Sequence, residues 1–62
     1  MNSQIDEQSV MRAAKEWACR TGKDEALAVG NASSTMAALK GKLSQDQYQE
    51  ALENLFRQYN EA

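Results

Sequence analysis

Three consecutive hydroxyl side chains, Ser33, Ser34 and Thr35, lie between Lys23 on one side and Lys40 and Lys42 on the other. Hydroxyl and ammonium groups in one short stretch suit contacts to phosphate oxygens and, less selectively, to base edges. The same residues have plainer roles, because Ser and Thr cap helix N-termini and lysines complement helix C-termini. Covalent and acid–base chemistry has less to work with. The chain has no histidine, and Cys19 is its single cysteine, so neither a Cys–His pair nor an internal disulfide can form. Cys19 reads as a small buried hydrophobe rather than a reactive thiol. With no second soft ligand and no calcium-loop spacing of its acids, neither a metal nor another cofactor is expected. Glu50 and Glu53 stand one helical turn apart, and Glu16 and Glu25 flank a loop. Paired carboxylates need an enclosing pocket to work as acid and base, and nothing here supplies one, so the chain does not read as an enzyme.

The elements that must position these groups belong to one small domain spanning residues 1–62. A chain this short buries only about 60% of the surface it exposes when unfolded. Apolar residues make up 42%, but ten of them are alanine, leaving sixteen larger side chains for a core. Self-association or a partner would help such a core. No apolar run approaches the roughly 20 residues that span a bilayer, so no membrane partner is expected. The acidic, polar start is unlike a signal peptide, and one free thiol suits a reducing cytoplasm.

Absence of proline and abundance of Ala, Gln, Glu, Lys and Leu predict an all-α fold, a small domain of three to four helices. The last helix is the clearest, a long amphipathic one. Tyr48, Ala51, Leu52, Leu55, Phe56 and Tyr59 form one apolar stripe at helical spacing over residues 45–60. Ser44 and Gln47 match a capping box, and Leu43 and Tyr48 match a hydrophobic staple. A first helix is expected over 4–20, capped by Ser3 and carrying Val10, Ala14, Trp17 and Ala18 on one face. Gly22 would end it in the left-handed conformation. Between them, Gly30 is costly inside a helix, and Asn31, Ser33 and Ser34 favour caps and turns. Two short helices broken near Gly30 and Asn31 therefore fit residues 24–40 better than one long helix.

That middle has the layout of a helix-turn-helix: a short helix, a glycine turn and a second short helix that would enter the major groove. Ala26, Val29 and Gly30 occupy the first part of the pattern, and Met36 and Leu39 stand at its later apolar anchors. Residues 22–41 thus resemble the motif of lambdoid Cro-type and repressor-type phage regulators. The resemblance implies a dimeric, duplex-DNA-binding transcriptional regulator. Lys23, Asn31, Ser33, Ser34, Thr35, Ala38, Lys40 and Lys42 would then face DNA. The stripe of Tyr48, Leu52, Leu55, Phe56 and Tyr59 would form the homodimer or partner interface.

Charge distribution bears on this reading in both directions. Seven basic residues against nine acidic give a net charge of −2, which disfavours a nonspecific nucleic-acid binder. Residues 12–42 nevertheless carry six basic against three acidic side chains, and residues 43–62 carry one against four. The candidate motif sits in the basic part. A second expectation stands beside the regulator: a small acidic helical protein that binds and inhibits or modulates another protein.

Overall fold

The computed structural model describes residues 5–61, which form three helices. Helix α1 spans Glu7–Thr21, α2 spans Glu25–Lys40 and α3 spans Gln45–Glu61. Each begins where a short polar side chain can satisfy amide groups that the first turn leaves unpaired. Asp6 caps α1, accepting from the Ser9 amide at 2.8 Å and the Ser9 hydroxyl at 2.9 Å. Those two bonds hold the Asp6 carboxyl below its ordinary range. Ser3, expected as the cap, lies outside the described residues, and the helix begins three residues later than expected. Asp24 caps α2 by accepting from the Leu27 amide at 3.1 Å.

The capping box of α3 forms as its sequence implies. The Ser44 amide donates to Gln47 Oε1 at 3.1 Å, and the Gln47 amide donates to Ser44 Oγ at 3.2 Å. At the other end of α1, Gly22 takes φ 73°, and Lys23 donates its amide to the Ala18 carbonyl at 2.8 Å. That 6→1 bond belongs to the Schellman arrangement that glycine permits.

The expected break at Gly30 and Asn31 does not occur: α2 is one continuous helix of 16 residues. Ala28, Ala32 and Met36 recur every four residues and are buried, so packing fixes this helix along its whole length. Gly30, Asn31, Ser33 and Ser34 all face outward, where water satisfies their polar groups. Burial of one continuous face outweighs a propensity cost of about 1 kcal/mol for the glycine.

Val10, Ala14, Ala32, Met36 and Leu52 form the core, with Ile5, Met11, Tyr48, Leu55, Phe56 and Tyr59 packed around it. Helix α1 lies between the other two. Small side chains dominate its buried surface, with Ala13, Ala14 and Ala18 on α1 and Ala28 and Ala32 on α2. Alanine faces let helix axes approach to the short end of the usual 8–10 Å range. The stripe expected at an interface instead closes this core: Leu52 is buried, and its four aromatic and leucine companions are half-buried against it.

Ties at both ends show that α1 and α3 run parallel. Near the start of each, Gln49 Nε2 donates to the Ile5 carbonyl at 2.7 Å, and the Tyr48 hydroxyl donates to Glu7. Near their ends, Arg20 reaches the Tyr59 carbonyl, and the Trp17 and Tyr59 rings lie 5.5 Å apart at 58°. Trp17 is thus a half-buried part of the packing, with Lys23 Nζ 5.8 Å from its ring centre.

Candidate binding surface

The continuous α2 redistributes the residues expected to face DNA. In a helix-turn-helix the N-terminal residues of the second helix enter the groove. Here Ser33, Ser34 and Thr35 sit in the middle of a helix that began at Glu25, and all three are exposed. Asn31 and Ala38 are exposed on the same helix. Lys23 precedes α2, whereas Lys40 ends it and Lys42 follows, so about 24 Å of helix separates the two basic groups. They do not gather around one helix N-terminus. Gly30 is a mid-helix residue with φ in the ordinary range, not a turn glycine, and Met36 is a core residue of the same helix. The helix-turn-helix-like middle is therefore absent.

The turn at Gly41–Ser44 joins α2 to a following helix, α3, whose charge is unlike that of a recognition helix. It carries Asp46, Glu50, Glu53 and Glu61 against the single cation Arg57. Four carboxylates facing a phosphate backbone would be repelled.

Other chemistry is sparse. Cys19 is exposed, which corrects its reading as a buried hydrophobe. Its position on α1 falls opposite the stripe of Val10, Ala14 and Ala18, so the thiol has no core to enter. Among the described residues, no three His, Cys, Asp or Glu side chains converge as a metal site would require. None of their helices is long and apolar enough to cross a membrane. A shallow cleft of about 500 Å³ opens between the start of α1 and the α2–α3 turn, lined in part by Glu7, Lys40, Leu43 and Tyr48. Burial first, then its bond to Glu7 and the carboxylate's charge, push the Tyr48 phenol up to about 12. That phenol stays protonated at neutral pH and ties α3 to α1.

The distinctive surface is the outer side of α2. Residues 26–39 contain no charged side chain, a run of 14, whereas no other uncharged run in the chain exceeds five. Charged residues make up 26% of the sequence, so an exposed helix face without any is the exception on this molecule. Leu27 is 63% exposed and is the one large hydrophobic side chain so open among the described residues. With helical spacing, Leu27, Gly30, Asn31, Ser34, Ala37 and Ala38 share this outer face, all exposed, while Ala28, Ala32 and Met36 take the inner one.

Sequence reasoning had the signal for this surface in the uncharged run itself. It read the glycine and the polar residues within that run as a break instead of as one face of a continuous helix. The chain matches no family model, no curated protein and no solved structure.

Proposed function

We propose that this protein is a small helical interaction module that works by docking on protein through the outer face of α2. The observation that carries the reading is an exposed, charge-free helix face bearing an open leucine on an otherwise highly charged chain. Interfaces are depleted of charge at their centres, while surfaces that remain in water are not. The net charge of −2, the acidic α3 and the separation of Lys23 from Lys40 and Lys42 favour protein over nucleic acid as the partner.

Position-resolved photo-crosslinking in the producing cell tests this. A photoreactive residue at position 30 or 34 should give discrete protein adducts that disappear with Leu27→Glu. The same residue at position 12 or 50, on the outer faces of α1 and α3, should not. A salt titration with duplex DNA is the counter-test. Retention of a mixed duplex pool at low salt, lost with Lys40→Glu and unaffected by Leu27→Glu, would overturn the docking reading in favour of a DNA-binding regulator.

A further inference from the structure

We infer that the chain exchanges α3 with a second copy. The α2–α3 turn straightens, α2 and α3 join as one helix over residues 25–61, and each α3 packs on α1 of the partner subunit. The exchange reuses contacts that the fold already makes, so it is independent of what docks on α2.

The two turns of the fold differ in what holds them. Between α1 and α2, Gly22 has φ 73°, and the Lys23 amide bonds to the Ala18 carbonyl at 2.8 Å. Straightening that corner would take Gly22 from left- to right-handed backbone and break the Schellman bond. Between α2 and α3 no residue has positive φ, and Gly41, at φ −78° and ψ −13°, is already right-handed. The helical ladder also runs past Lys40. Gly41 donates its amide to the Ala37 carbonyl at 3.3 Å, and Leu43 donates to Leu39 at 2.9 Å, both at the four-residue spacing of an α-helix. Only Lys42, bonded to Leu39 at 3.0 Å, takes the tighter three-residue spacing. The departure from helix is thus concentrated at Ser44, where the reciprocal bonds with Gln47 start α3.

α3 is tied to α1 rather than to α2. Among the described residues, the side-chain hydrogen bonds that reach α3 from elsewhere join Gln49 to Ile5, Tyr48 to Glu7 and Arg20 to Tyr59. The Trp17 and Tyr59 rings add a further α1–α3 contact. A straightened turn carries α3 away from its own α1, and α1 of a second chain offers the same partners.

The helix directions close under a two-fold axis. α1 and α3 run parallel, and Glu7 and Met11 share a cleft with Met36 and Lys40, so α2 runs antiparallel to α1. A joined helix that is antiparallel to its own α1 and parallel to the partner's must lie antiparallel to the partner's joined helix. A two-fold axis through the hinge imposes that arrangement, and exchange of an identical element is a low-cost route to a dimer.

Refolding the full chain from denaturant at millimolar concentration, followed by sedimentation velocity, tests the exchange. Wild type should give a dimer beside the monomer. Gly41→Ala combined with Ser44→Ala should raise the association constant about tenfold or more, because each dimer has two hinges and alanine both removes the cap and favours helix. The Cβ at position 41 fits, meeting only the Ala38 and Ala37 carbonyl oxygens at 3.8 and 3.9 Å. Gln45→Pro should do the reverse. Proline suits the first position of α3, but inside a joined helix its ring clashes with the carbonyl four residues back. That variant should keep the monomer's circular dichroism and lose the dimer. Exchange itself is read by isotope-filtered NOE spectra of a dimer refolded from labelled and unlabelled chains. Cross-peaks should join Trp17 of one chain to Tyr59 of the partner subunit. A dimer whose Trp17–Tyr59 contacts all lie within one chain, or one that survives Gln45→Pro, would overturn the inference. So would a double alanine variant that stays monomeric after millimolar refolding.

Discussion

Arg20 Nη2 donates to the carbonyl of Tyr59 at 2.7 Å, so the last turn of α1 supplies the cation that the last turn of α3 lacks in its own sequence. Two parallel helices place their negative ends side by side, and a guanidinium between them offsets both.

Replacing Arg20 with Met should keep the aliphatic packing and lose the tie. A stability loss of about 0.5–1.5 kcal/mol is expected for one exposed, charge-assisted bond. Amide exchange should locate that loss, with protection falling in the final turn of α3 and not in α2. Uniform loss across all three helices would mean that Arg20 acts through the core instead.

Tyr48 links stability to alkaline pH. Its folded value is raised from 10.0 to about 12, so the neutral phenol is favoured by folding. The stabilisation is complete below pH 10 and is lost as pH rises from 10 toward about 12, because only the unfolded chain ionises readily in that window. Tyr48→Phe should be less stable than wild type at neutral pH. The gap between the two melting temperatures should narrow across the alkaline window. A gap that does not change with pH would show that the phenol is not the linked group.

Gly30→Ala should stabilise the fold. The position is helical, exposed and open, so alanine adds helix propensity without a clash, worth about 0.5–1 kcal/mol. For a domain of this size that corresponds to a rise of roughly 2–8 °C in melting temperature. A fall in melting temperature would contradict the continuous α2.

Two leucines should differ sharply when cut to alanine. Leu52 is 3% exposed and sits in the core, so Leu52→Ala should cost about 2–5 kcal/mol. That is comparable to the whole stability of a chain this short. Leu27→Ala, at the opposite extreme of exposure, should change the unfolding midpoint by less than about 0.5 kcal/mol. Denaturant titration of both variants checks the contrast.

These outcomes also show which features a single sequence makes readable. The start of α3 was legible because Ser44 and Gln47 act on neighbouring amides, and local chemistry needs no tertiary context. Gly22 was legible for the same reason, since a left-handed cap is a property of one residue. The middle was not, because Gly30, Asn31, Ser33 and Ser34 weaken a helix only until a face of Ala28, Ala32 and Met36 is buried on α1. The α3 stripe was readable as apolar, but whether Leu55 and Phe56 would meet their own chain or another depended on how α1 lay. Cys19 was misplaced on residue type alone, although its helical phase already set it away from the buried alanines.

The continuous α2 has a consequence for how this chain can change. Positions 28, 32 and 36 answer to folding, while positions 27, 30, 34 and 38 touch nothing that the fold depends on. One helix therefore carries two separate vocabularies, interleaved along the same 16 residues. On the docking reading proposed above, substitutions in the outer set would redirect what the molecule recognises while the inner set keeps its shape. A domain with little stability to spare could in that way alter its associations without risking its structure.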